Sequence, residues 1–181
     1  MDTCLHHLQR ETEFVTSQTA QSAALALIQD FYREKLAMML RHQAHARLVG
    51  QYDANNTYQY IINREDVQLS WLSKAIADLG GGNPEPLEPP AVETHSNKRS
   101  VHVLFEEDAH GAQAFVERWR PRVESVTNAR VKGTLQVILG ETMEQKRFFE
   151  QALAGRTDLL GKRGDAAGPA QGAVLAARWV E

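Results

Sequence analysis

Residues Arg64–Gly80 read REDVQLSWLSKAIADLG. With the residues just before them they predict a helix from about Thr57 to Leu79, because Tyr58, Ile61, Glu65, Gln68, Leu72, Ala75 and Leu79 fall on one stripe at helical spacing. The run Gly80-Gly81-Gly82 ends it. That stripe is apolar or aromatic except at Glu65 and Gln68. An unpaired ion in a protein interior costs several kcal/mol, so a carboxylate on an inward face demands partners from neighbouring helices.

The chain on either side supplies such neighbours. From Ser17 to Val49 there is neither proline nor glycine, and Leu27, Phe31, Met38, His42, His45 and Val49 recur at spacings of three, four or seven, which predicts a long first helix ending near Gly50. Leu25, Ile28, Leu36, Met39 and Leu48 lie on its other faces, so neighbours are expected on more than one side. Gly50, Asp53, Asn55 and Asn56 supply turn chemistry, with Asn56 or Thr57 as the N-cap of the second helix.

After Gly80, Pro84, Pro86, Pro89 and Pro90 exclude a helix, and Val101–Phe105 reads as a short strand or extended strip. About thirty residues up to His110 are too many for a hairpin between adjacent helices and suit a crossover between opposite ends of a bundle. A third helix is expected from Ala109 to about Val126, with Ala112, Phe115, Trp119, Val123 and Val126 inward and a kink or stop at Pro121. The fourth runs from about Asn128 to Ala154 through Val131, Leu135, Ile138, Phe148, Phe149 and Ala152, ended by Gly155. The glycine-rich residues after it lead to Val174-Leu175 and Trp179-Val180, a flexible tail expected to dock back on the body. The predicted fold is therefore all-α: one domain over residues 1–181, an antiparallel four-helix bundle at about 17–155, a long crossover at about 80–109 between helices 2 and 3, and a C-terminal tail at about 156–181.

The 181 residues suit a single core. A formal charge of −3 removes the broad attraction to phosphate that nonspecific nucleic-acid binders use, so nucleic acid is not an expected partner. Charged residues interrupt every apolar run, which argues against a membrane span. The first twenty residues lack the basic start and apolar block of an export signal, and a single cysteine, Cys4, makes no intramolecular disulfide; the expected location is the cytoplasm. Cys4 has no histidine and acid arranged around it, and His6-His7 reads as a surface pair. The basic run Arg118, Arg120, Arg122, Arg130 and Lys132 reads as a solvated face balanced by Glu117 and Glu124, and Trp71, Trp119 and Trp179 read as packing anchors.

Polar residues on inward stripes carry the functional signal. Beside Glu65 and Gln68, the fourth helix offers Glu141 and Glu144 in line with Val137 and Phe148, with Arg147 next to them, and the first offers His42 and His45. Two donors three residues apart on one helix face can grip one ion together. REDVQLSWLSKAIADLG and the fourth-helix stretch ILGETMEQKRFFEQALAG, with the long crossover between them, resemble the second and fourth helices of the ferritin-like superfamily, its rubrerythrin-like branch in particular. The resemblance implies a pair of iron or manganese ions held by Glu-x-x-His motifs on two helices and one Glu from each of the other two. Neither motif is intact: Gln68 stands three after Glu65, and Arg147 three after Glu144. Level with Glu65, helix 1 has His42 and Gln43 where the family has a glutamate, and helix 3 offers Glu117 or Glu124.

Two expectations follow. Arginine binds no metal but forks onto carboxylates, so a buried polar network of Glu65, Gln68, Glu144 and Arg147 replaces the metal centre, no cofactor is favoured, and the protein is a binding or assembly module with an unknown small-molecule ligand. The alternative is a non-haem iron or manganese oxidoreductase with a remodelled site, in which His42, His45, Glu65, Gln68, Glu141 and Glu144 ligate iron, manganese or zinc and Tyr58 or Tyr60 exchanges an electron; its catalytic residues are unknown. A third reading adds a homodimer in which Leu36, Leu40 and Leu48 of helix 1 are buried between chains.

Overall fold

The computed structural model describes residues 2–85 and 100–160, with side chains from residue 18 onward. Among them are four helices and no strand: α1 (Asp2–Leu48), α2 (Tyr52–Asp78), α3 (Val101–Glu124) and α4 (Ala129–Leu153). The expected tail beyond residue 160, Trp179 within it, and the side chains of Cys4, His6 and His7 lie outside the described residues. No helix among the described residues is long and apolar enough to cross a membrane.

Contacts along the helices fix their directions. Asp30 of α1 meets Arg122 of α3, and His45 meets Asp108, so α1 and α3 are antiparallel. Asp78 meets Arg130, Gln68 meets Glu141 and Tyr60 meets Phe148, so α2 and α4 are antiparallel as well. Short connections make hairpins of α1 with α2 and of α3 with α4. The end of α2 lies beside the start of α4, whereas Phe105, near the start of α3, packs on Tyr58 and Phe149 at the other end. The α2–α3 connection therefore joins opposite ends of the bundle, which the 27 residues of α2 set about 40 Å apart at 1.5 Å per residue. Its first turn is tied to α1, where Gln29 donates to the Gly82 carbonyl at 2.9 Å.

Helix ends follow local chemistry. Asn128 caps α4 by accepting from the Val131 N–H at 3.1 Å, and Ser100 caps α3 by accepting from the His102 N–H at 3.2 Å. Gly80 and Gly155 adopt φ of 81° and 85°, and each opens a Schellman turn: Gly80 and Gly81 donate to Ala77 and Ile76, Gly155 and Arg156 to Ala152 and Gln151.

Three boundaries differ from the sequence expectation. α1 starts at Asp2 rather than near Ser17, consistent with a stretch that has no glycine or proline before Gly50. α2 starts at Tyr52 rather than Thr57, because Asn55 does not form the turn: inside the first helical turn it donates to the Ala46 carbonyl at 3.1 Å and satisfies the free end of α1. α3 starts at Val101, so Val101–Phe105 is its first turn and not an extended strip. Pro121 is accommodated in the last turn of α3, close to where the helix ends.

Two aromatic clusters fill the core. Phe31, Phe115 and Trp119 pack edge-on at one end, with centroids 4.8 Å apart for Phe31–Trp119. Tyr58, Phe105 and Phe149 pack at the other, 5.6–5.7 Å apart. Trp119 is the anchor expected of it; Trp71, by contrast, is 36% exposed.

Candidate functional site: a buried charge network

Between the aromatic clusters each inward stripe turns polar. The α1 stripe runs Ile28, Phe31, Lys35, Met38, His42, His45 and on to Val49 just past the helix end, and all seven are buried. α2 contributes Tyr58, Glu65 and Gln68, α3 contributes Asp108, and α4 contributes Thr142 and Gln145; all are at most 3% exposed.

Lys35 is the cation of this interior. Its Nζ donates to Glu65 Oε1 at 2.9 Å, to Thr142 Oγ1 and Gln145 Oε1 at 3.4 Å each and to Met38 Sδ at 3.6 Å, and it lies 5.8 Å from the centre of the Phe115 ring. The other oxygen of Glu65 meets His42 Nδ1 at 2.8 Å. His42 Nε2 then faces Asp108 Oδ1 at 3.6 Å, too far for a hydrogen bond. Asp108 is saturated otherwise: Arg41 Nε donates to Oδ1 at 3.0 Å, while His45 Nδ1 and the Tyr58 hydroxyl meet Oδ2 at 2.8 and 2.7 Å. Lys35 and Arg41 thus oppose Glu65 and Asp108, with two imidazoles between them. The chain of contacts leads outward through Arg41, 30% exposed, and through His45 Nε2 to half-exposed Glu107 at 3.8 Å.

Arg41 reaches Asp108 by crossing α3 where a side chain is missing. A Cβ at Gly111 would overlap Arg41 Nη2.

Burial alone raises the pKa of Glu65; His42 and Lys35 outweigh it and hold the carboxyl below its ordinary value. At Asp108 burial again raises the pKa, and His42, His45 and Arg41 together bring it below the ordinary value. Tyr58 goes the other way: burial, then the adjacent Asp108 charge, push its hydroxyl well above the usual tyrosine range, so it stays a donor.

The structure sorts the sequence candidates. It gathers His42, His45, Glu65 and Gln68 into one interior. Glu141 sits at its margin, bonded by Arg64 and Gln68. Glu144 and Arg147 are corrected: their side chains are 63% and 64% exposed and they pair with each other at 3.7 Å along the solvent face. The reason is register. Val131, Leu135, Ile138, Thr142, Gln145 and Phe149 alternate by four and three and point inward, which leaves Val137, 51% exposed, and Glu144 pointing out. Glu117 and Glu124 are also exposed, and the α3 acid of the interior is Asp108. In the basic run, Arg118 and Arg122 reach Glu34 and Asp30 of α1, Arg130 reaches Asp78 of α2, and Lys132 pairs with Glu124. Leu36 packs on the chain's own core, Leu40 is half-buried and Leu48 is 39% exposed.

No protein-family model and no curated protein matches this chain. Solved structures do. Bacterioferritin of Desulfovibrio desulfuricans, determined with its diiron site in different catalytic states, superposes with a TM-score of 0.65 at 16% identity, over 87% of this chain and 98% of that one. The bundle is ferritin-like. A conserved hypothetical protein of Mycobacterium tuberculosis superposes with a TM-score of 0.60 at 13% identity, over 75% of this chain and 98% of that one. At these identities the likeness concerns the fold alone.

The donors of this ferritin-like bundle do not fit a pair of iron or manganese ions. Both Glu65 oxygens and both Asp108 oxygens are engaged by protein donors. The α4 pair facing Glu65-x-x-Gln68 is Thr142-x-x-Gln145, which supplies no charge, and Lys35 adds a positive one. Among the described residues no group of three or more His, Cys, Asp or Glu side chains is arranged to hold a metal ion.

Proposed function

We propose that this ferritin-like protein is a binding or assembly module in which an internal cation does the charge balancing that iron or manganese does in metal-loaded relatives. One observation carries the reading: Lys35 and Glu65, both without solvent exposure, form a 2.9 Å ion pair at the centre of the bundle. A buried carboxylate must be neutralised or protonated, and an ammonium ion supplied by the fold does this without a cofactor. Arg41 does the same for Asp108 at the margin. The neutral Thr142 and Gln145 complete the cage around Lys35, so the interior needs no further positive charge.

In this reading the network holds four helices in one register. Each of its polar groups binds a neighbour on a different helix, and a shift of one helical position would strand a charge. The alternative, an oxidoreductase with a remodelled site, draws on the His42–Glu65 and His45–Asp108 pairs, which bring two nitrogens and two carboxylates into one space.

Titration with ferrous iron in air separates the readings. The module leaves the solution without a ligand-dependent absorbance and retains no near-stoichiometric iron after desalting. Near-stoichiometric uptake that Glu65→Ala abolishes would establish the oxidoreductase instead.

A further inference from the structure

The outer face shared by α2 and α4 carries exposed large apolar side chains. Tyr60, Val67 and Trp71 of α2, at spacings of seven and four, and Val137 of α4 are 36–51% exposed. On α1, by contrast, Leu48 is the large apolar side chain that is comparably exposed among the described residues. A groove of about 710 Å³ runs between the two helices, lined by Trp71 and Val137 among others. Contacts of Asp78 with Arg130, Gln68 with Glu141 and Tyr60 with Phe148 put Trp71 level with Val137.

The charges around that level are antisymmetric. On α2, Arg64 stands seven residues before Trp71 and Asp78 seven after. On α4, Arg130 stands seven residues before Val137 and Glu144 seven after. Both helices thus place a cation on the N-terminal side of the apolar centre and an acid on the C-terminal side, two turns away on the same face. A two-fold axis across the helices at the Trp71–Val137 level inverts each helix onto its own copy. It brings Arg64 over the second copy's Asp78 and Arg130 over the second copy's Glu144. Within one chain Arg130–Asp78 is a long contact of 3.5 Å and Glu144–Arg147 one of 3.7 Å, at side chains 43–76% exposed, while Arg64, its side chain 36% exposed, pairs with Glu141.

Backbone on the same face points the same way. Gly133 and Gly140 flank Val137 in the middle of α4, and a Cβ at either would meet nothing within 4 Å. Packing within the chain requires neither glycine, although glycine is the poorest helix former after proline. Bare backbone there lets a facing helix approach closely.

We infer that the protein self-associates as a two-fold dimer through the α2/α4 face, with Trp71 and Val137 at its centre and Arg64–Asp78 and Arg130–Glu144 ion pairs between copies. The surface borders the interior charge network at the Arg64–Glu141 pair, whereas Val137, Arg130 and Glu144 take no part in that network.

Sedimentation equilibrium of the full chain tests this. The wild type is a dimer at about 10 µM, and Val137→Glu weakens association roughly thirtyfold or more, as removal of a central apolar anchor does, with unchanged helical circular dichroism. Arg130→Glu also weakens it, and the double variant Arg130→Glu/Glu144→Arg restores it to within about threefold of wild type by exchanging the charges across the axis. A wild type that stays monomeric at about 100 µM would overturn the proposal, as would a dimer indifferent to Val137→Glu that Leu48→Glu dissociates.

Discussion

Lys35 follows Phe31 by four residues and precedes Met38 by three, so it belongs to the inward stripe of α1 as fully as they do. Read at a step of seven, Phe31 to Met38, the stripe conceals it. A lysine on an apolar stripe is the same kind of signal as Glu65 on α2, and the two are partners. Removing one partner of a buried pair strands the other, so Lys35→Met and Glu65→Leu should each lower stability by about 3–5 kcal/mol. The double variant Lys35→Met/Glu65→Leu removes both charges at similar volume and should fall within about 2 kcal/mol of wild type, the remainder arising because His42 Nδ1 then has no carboxylate to bond. Urea denaturation of the three variants measures this coupling; additive destabilisation in the double variant would mean that Lys35 and Glu65 do not meet in the core. Gly111→Ala tests the Arg41 branch. Its methyl group displaces the guanidinium from Asp108, and the helix-propensity gain of about 1 kcal/mol expected for alanine should be missing from the measured stability.

At the level of helices, the α4 register decides which residues become interior. Val131, Leu135 and Ile138 set a four-three alternation that continues to Thr142 and Gln145, yet these neutral residues attract less notice than the acids Glu141 and Glu144 beside them. On α3 the interior acid is hidden by the helix start: a helix drawn from Ala109 leaves Asp108 in the crossover, whereas the Ser100 cap sets Asp108 on the stripe with Ala112 and Phe115. Helix existence, order and ends at Gly80 and Gly155 were legible because glycine and proline act locally; starts were harder, since Asn55 serves α1 from within α2. Asn128→Ala removes the cap on α4 and should cost about 1 kcal/mol. Gly155→Ala forces a side chain into positive φ and should cost about 1 kcal/mol as well. Gly133→Ala and Gly140→Ala should instead raise the stability of an isolated subunit by about 0.5–1 kcal/mol each, because nothing within the chain meets the added methyl groups. Thermal unfolding of dilute samples would show these opposite signs.

Across the whole molecule, stability is tied to pH through the core. Glu65 and Asp108 have folded pKa values below their unfolded ones, so the stability they supply is fully present above the ordinary carboxylate range, about pH 4, and is lost as pH falls through the folded values. The unfolding temperature should therefore drop steeply below about pH 4, and Lys35→Met/Glu65→Leu should flatten part of that slope. A double variant with the same acid slope as wild type would show that Glu65 is not ionised in the native core. The ferritin-like architecture was readable from the proline-rich crossover and four apolar stripes, whereas the identity of the interior cation depended on which helices face one another across the bundle. Crystals soaked in ferrous and manganous salts and measured at the two metal edges would show whether Lys35 or a metal ion balances the buried carboxylates. No anomalous peak is expected between Glu65 and Asp108, with Lys35 Nζ in hydrogen-bond contact with Glu65; a peak bridging those carboxylates, with Lys35 turned away, would show that a metal ion and not Lys35 neutralises them.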